Sequence, residues 1–236
     1  VGLSKGGLPS VGTLAVPLMA LVISPVTAAA LLLPLYVISD MVGLYLYRKN
    51  YSARNLVILT PAALAGVGLG WMFSANLSSL FIGMLVGLVG ILFCFNAWFG
   101  AKYRKTVKPA DIPGGVFWGT LTGLTSFVSH SGAPPFQMYV LPQHLEKMKF
   151  AGTSTILFAI VNAAKIIPYW ELQQFSKFDT TLALWLLPAA ITGTFVGAKL
   201  TRLLPEGIFY LLIQITLLFL SLKLIADYVM SIVPAG

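Results

Sequence analysis

Six apolar runs decide what this chain can become: 27–47, 56–73, 80–100, 150–170, 180–199 and 208–229. Each approaches the length, about 20 residues, at which a helix crosses the hydrocarbon core of a bilayer. Backbone polar groups find no water there, so only helices and closed barrels span it. The alternating segments of about ten residues that mark a barrel do not occur, and all six runs are expected to be helices. Composition agrees: 9% of residues are charged and 58% hydrophobic, against about 25% charged in a soluble domain. The expected fold is an all-α integral membrane protein.

Two further apolar stretches, 1–23 and 112–141, are interrupted, the first by "SKGGLPS" from Ser4 and the second by "SHSGAPP" from Ser129. Sliding the sequence along itself by 125 positions aligns Ser4 with Ser129, Lys5 with His130, Gly7 with Gly132, Pro9 with Pro134 and Pro17 with Pro142. Farther on, "PAALAGVGLG" from Pro61 meets "PAAITGTFVG" from Pro188. The chain reads as a duplication, 1–108 and 109–236, with one broken segment and three unbroken spans in each half.

Short cytoplasmic loops are enriched in Lys and Arg, which orients the halves. Were all eight segments to cross, Arg48, Lys49, Arg54, Lys102, Arg104, Lys105, Lys108 and Lys177 would face Lys147, Lys149, Lys199 and Arg202 across the membrane. Were 112–141 to dip in and return, Lys177 alone would lie opposite the other eleven cations. The second arrangement is preferred. It makes the halves inverted repeats, with six full transmembrane helices plus two re-entrant broken hairpins. That plan recurs in secondary transporters, whose binding site lies at the repeat interface. The net charge of +8 resides in these loop clusters, which argues against nucleic-acid binding.

At each break glycine permits a turn, and Pro9 and Pro134 suit the first turn of a returning helix, expected over 9–21 and 134–142. Non-helical backbone at membrane depth should line a cavity, where the amide groups and positive ends of these helices would attract an anion. A lysine near the bilayer centre costs about 2.5–3.5 kcal/mol, so Lys5 asks for a partner that an anionic substrate supplies. His130 either hydrogen-bonds the anion when neutral or couples transport to protons. The expected substrate site comprises Ser4, Lys5, Gly6, Gly7, Ser10 and Thr13 from the first break, Ser129, His130, Ser131, Gly132 and Gln137 from the second, and Asn162. Asp40 and its repeat mate Lys165 read, with His130, as gating or coupling groups near the cavity mouths. The plainer alternative pairs Asp40 with Arg48 or Lys49 and lets Lys165 snorkel. Asn162, three residues before Lys165, shares its helical face.

Other features read as structural. Gly66 and Gly70, with their copies Gly193 and Gly197, follow the small-xxx-small pattern of closely packed membrane helices. Trp71, Trp98, Trp118, Trp170 and Trp185 lie toward segment ends, as interfacial belts require. Lys223 and Asp227 form a local pair, and Glu146 belongs to the solvated face. Cys94 is the only cysteine, which rules out an internal disulfide or a cysteine-based metal site; no metal or cofactor is expected. The chain starts at Val1 rather than Met, so a native N-terminus is expected ahead of it; nothing reads as a cleavable signal peptide.

The segments "GLSKGGLPSVGTLAVPLM", "HSGAPPFQMYVLP" and "KFAGTSTILFAIVNAAKIIPY" resemble the TauE/SafE sulfite exporter family of bacterial inner-membrane transporters. The resemblance covers nearly the whole chain, and its most specific element is the GTS-x-x-x-F-x-x-x-N run from Gly152 to Asn162. It implies multi-pass insertion and export or uptake of sulfite, sulfoacetate or related organosulfonates, driven by ion gradients without an ATPase subunit; no Walker A pattern occurs. The expected function is a secondary transporter, not an enzyme, that moves such anions by alternating access in the direction of export. Two alternatives stay open. One is an anion channel with the same filter. The other is an intramembrane hydrolase using His130 with Ser129 or Ser131, for which Glu146 is a nearby carboxylate in sequence.

Overall fold

The computed structural model describes residues 1–12, 15–19, 23, 25–73, 79–99, 107–177 and 179–232. Among them regular structure is helical throughout: α1 (Gly2–Lys5), α2 (Pro9–Gly12), α3 (Ala15–Met19), α4 (Pro25–Tyr47), α5 (Ala53–Met72), α6 (Ser79–Phe99), α7 (Ile112–Ser129), α8 (Ala133–Val140), α9 (Lys147–Glu171), α10 (Thr180–Leu203) and α11 (Glu206–Ile232). Each of the six apolar runs coincides with a helix, namely α4, α5, α6, α9, α10 and α11. Five of these, over Thr27–Tyr47, Ala53–Met72, Lys147–Glu171, Thr180–Leu203 and Glu206–Ile232, are long and apolar enough to cross a membrane. Large side chains such as Trp185, Phe219 and Met72 are exposed, while Lys5, Asp40 and Lys165 are buried. That inversion of the soluble pattern is what a lipid solvent selects.

The second broken segment is a closed hairpin. Asp111 starts α7, its carboxylate accepting from Gly114 N at 2.7 Å. Asp111→Ala is expected to cost about 1 kcal/mol, read as a lowered unfolding temperature in detergent. The helix ends where His130 adopts φ 53, with His130 N donating to Ser126 O and Ser131 N to Thr125 O. This is a left-handed (αL) stop with a histidine where glycine is usual. The sequence reading gave that turn to glycine, yet Gly132 has φ −73. Gly132 is required for space instead: a Cβ there would lie 2.8 Å from Thr122 O and from the Phe158 ring. After α8 a 3-10 turn, Leu141–Gln143, brings the chain back beside its start. Lys108 N donates to Pro142 O at 3.1 Å and Tyr139 OH to Asp111 O at 2.8 Å. The Asn55 and Gln143 amides bond each other reciprocally.

The first broken segment is less regular. Gly7 takes φ 111, which glycine alone adopts freely. Of the returning helix expected over 9–21, the described residues hold helix at Pro9–Gly12 and Ala15–Met19, α2 and α3, and the rest of that range lies outside them. The backbone freed at this break is satisfied mainly by protein hydroxyls rather than by a cavity. Tyr47 OH and Thr201 Oγ1 both donate to Gly6 O, Thr155 Oγ1 donates to Lys5 O and Tyr36 OH to Gly12 O. Such partners make irregular backbone tolerable at depth.

Packing crosses between the halves. Helix α7 lies against α5, and α1 against α10. In both cases glycine lets backbones touch: a Cβ on Gly66 would sit 2.1 Å from Thr120 O, and one on Gly6 would sit 2.5 Å from Gly197 Cα. Helix α4 packs on α9 and α6 on α11. Cys94 is buried in the α6–α11 contact, its thiol directed to Gln214 O. Lys223 and Asp227 are paired as expected, and Glu146 is exposed beside Lys149.

Candidate functional site

The two breaks converge. Between them lies a cavity of about 30 Å³, room for about two waters. Ser4, Lys5, Pro9, Gly12 and Tyr36 form the wall from the first half. Helix α9 contributes Ser154, Thr155, Phe158 and Asn162, and the second hairpin contributes Ser126, His130 and Ala133.

Of the residues expected to bind substrate, Ser4, Lys5, His130 and Asn162 line this cavity. Gly6, Gly7, Ser131, Gly132 and Gln137 are buried behind the wall. Thr13 and the side chains of Ser10 and Ser129 lie outside the described residues. Sequence reasoning missed Tyr36, Ser126, Ser154, Thr155 and Phe158. The signal for α9 was present: Ser154, Phe158 and Asn162 are spaced by four and fall on one helical face. Nothing in the sequence marks Tyr36 or Ser126.

Both basic residues at the breaks have protein partners. Lys5 Nζ sits 2.8 Å from Asp40 Oδ1, and Asn162 Nδ2 donates to Asp40 Oδ2 at 2.8 Å. Lys5 also lies 4.8 Å above the Tyr36 ring, a cation–π distance. The expected anion is therefore not needed to neutralise Lys5. Asp40 pairs with neither Arg48 nor Lys49. Arg48 bonds Tyr45 O and stacks on that ring.

Lys165 is fully buried and does not snorkel. Its Nζ donates to Ser126 O and Ser126 Oγ, both at 3.1 Å, and stands 3.1 Å from His130 Nδ1. On the far side of the ring, His130 Nε2 is 3.0 Å from Tyr169 OH, and Tyr169 OH donates to Phe127 O. Both His130 nitrogens are thus engaged, and its ring stacks on Tyr36 with centroids 5.4 Å apart. Asp40 and Lys165 are both fully buried, on helices α4 and α9, which pack against each other.

Among the described residues no group of His, Cys, Asp and Glu is placed to hold a metal ion. The cavity wall instead offers Lys5, already paired with Asp40, and the hydroxyls of Ser4, Tyr36, Ser126, Ser154 and Thr155. No curated protein and no solved structure gives a significant match to this chain. The sequence pattern of the family described as Sulfite exporter TauE/SafE matches residues 1–224. A match over nearly the whole length, on a chain of buried charges wrapped in membrane-length apolar helices, places it in that multi-pass transport family: the protein belongs to the TauE/SafE sulfite exporter family.

Proposed function

We propose that this protein carries a small sulfur-containing anion, sulfite or a related sulfonate, across the bacterial inner membrane by alternating access, exporting it from the cytoplasm. The observation that carries the proposal is the cavity, where the breaks of both halves meet around Lys5 and His130. Membership in a sulfite exporter family supplies the chemical class.

The layout behind this reading is two inverted halves, 1–108 and 109–236, with six spans and two re-entrant hairpins. Several features support it. Exchanging the halves turns the α1–α10 contact into the α7–α5 contact and leaves α4–α9 and α6–α11 unchanged, as a two-fold relation requires. The bond from Lys108 N to Pro142 O ties the two ends of the second hairpin together on one side. The cation tally then puts both ends on the cytoplasmic face. Two bodies presenting one central site to alternate faces is the usual working of such repeats.

Proteoliposomes give the test. Vesicles preloaded with unlabelled sulfite should accumulate labelled sulfite by counterflow, at a rate that saturates with concentration. Continuous anion current without counterflow would replace the transporter with a channel. An imposed pH gradient that leaves the flux unchanged would remove proton coupling, including any role of His130 in it. A hydrolase built on His130 is disfavoured by its surroundings: Nδ1 faces a lysine where a triad places a carboxylate, and Glu146 is exposed.

A further inference from the structure

The turns of the two breaks are tied down at opposite ends of one helix. We propose that each broken segment gates the face opposite to the one it returns to, with Tyr47 positioning the inner gate and Tyr169 the outer. This deepens the alternating-access reading and rests on it and on its inverted layout.

Helix α9 serves as a ruler. Near its start Ala151 lies against the first turn: a Cβ on Gly7 would stand 2.8 Å from Ala151 Cβ and 2.7 Å from Tyr47 OH. One helical turn on, Thr155 Oγ1 donates to Lys5 O at 3.2 Å. Ser154, Phe158 and Asn162 then face the cavity. Beyond it, Lys165 and Tyr169 hold His130 of the second turn, at 3.1 and 3.0 Å. From Ala151 to Tyr169 the helix rises about 27 Å, close to the thickness of a hydrocarbon core.

The first turn therefore sits where α4 and α10 end and α9 begins, held there by Tyr47 and Thr201. Arg48, Lys49, Lys147, Lys149 and Arg202 adjoin these helix ends, which makes this the cytoplasmic face by the cation rule. The chain leaves that turn through α2 and α3 to start α4 at its other end, Pro25. The second turn sits toward the far end of α9, although its segment begins and returns where Lys108 N meets Pro142 O. Helix α7, with 18 residues, is about 27 Å long, enough to carry that turn across most of the core. Every residue lining the cavity except Phe158 is buried, so a solute reaches it only when a turn moves aside.

The ties differ in whether opening must break them. Tyr47 and Thr155 reach the first turn from α4 and α9. Thr201 reaches it from α10, whose backbone α1 touches at Gly197, so the two travel together. Opening inward breaks the Tyr47 and Thr155 bonds and keeps the Thr201 bond. Opening outward breaks the contacts that Lys165 and Tyr169 make with the second hairpin. Neither tyrosine lines the cavity; each acts through the turn it holds.

The experiment uses the full chain in sealed membrane vesicles of known orientation. Cys94→Ser removes the one native thiol, and Ser154→Cys places a single thiol in the cavity wall. A membrane-impermeant methanethiosulfonate reagent should label this parent slowly from either face. Tyr47→Phe should speed labelling from the cytoplasmic face alone, and Tyr169→Phe from the outer face alone. Each gain should be between about twofold and tenfold, the weight of a lost hydrogen bond on an opening equilibrium. Thr201→Val should leave both rates at the parent's, which separates a latch from a bond that only supports the fold. Thr155→Val and Lys165→Met loosen the same two turns through other bonds and should reproduce the sidedness where a tyrosine variant does not fold. Reversed sidedness, equal acceleration from both faces, or no acceleration over a slowly labelled parent would overturn the gates and leave the transport reading standing. Rapid labelling of the parent from both faces would mean an open pore and overturn both.

Discussion

Asp40→Ala is expected to destabilise the protein by about 3–5 kcal/mol, the range for stripping a buried charge of its partner. The carboxylate is completely buried, holding Lys5 on one oxygen and Asn162 on the other. Its loss leaves an ammonium group among Tyr36 and Phe158 rings with no counter-charge. A second change, Lys5→Met, should return much of the lost stability, because an apolar side chain of similar length fills the volume without asking for a partner. A double-mutant cycle read by unfolding in detergent should therefore show strong coupling between the two positions. Additive losses, or a single mutant as stable as the parent, would mean that the pair contributes little. Transport should fail in both variants, which separates the fold's dependence on the pair from the site's dependence on the charge.

The second large effect concerns two glycines two residues apart on α5. A Cβ at Gly66 would stand 2.1 Å from Thr120 O and 2.8 Å from Leu124 N, whereas at Gly68 nothing lies within 4 Å. Gly66→Ala must push α7 off α5 and is expected to cost about 1–3 kcal/mol, as overpacking does. Gly68→Ala should be neutral or stabilise by up to about 1 kcal/mol through helix propensity. Opposite signs from the same substitution two residues apart test the α5–α7 backbone contact directly. Equal effects at both positions would show that the contact is looser than described.

Much of this molecule could be read before any coordinates. Lipid imposes so narrow a choice on backbone that each apolar run located its helix, and the small-xxx-small glycines named the tight contacts. The two breaks were equally visible, since glycine and proline interrupt apolar runs for few other reasons. What escaped was pairing. Lys5 and Asp40 are on separate helices, and sequence spacing says nothing about which buried cation meets which buried carboxylate. The same limit hid the Lys165–His130–Tyr169 chain. The turn at His130 was assigned to the neighbouring glycine on propensity, and the tertiary grip on both ring nitrogens won over it. Ser126 was invisible because a serine in a membrane helix ordinarily bonds its own preceding turn, as Thr122 and Thr125 do here.

The reciprocal seating of α1 on α10 and of α7 on α5 has one more consequence. Each broken segment is clasped, backbone to backbone, by a helix from the other half of the chain. Under the proposed alternating access, the blocks that shift are therefore mixed in ancestry: one couples residues near the start of the chain to residues near 195, the other couples residues near 65 to residues near 120. Any hinge has to be sought between these hybrid blocks, along the seam of α4 and α9, and the midpoint of the sequence is no guide to where the molecule bends.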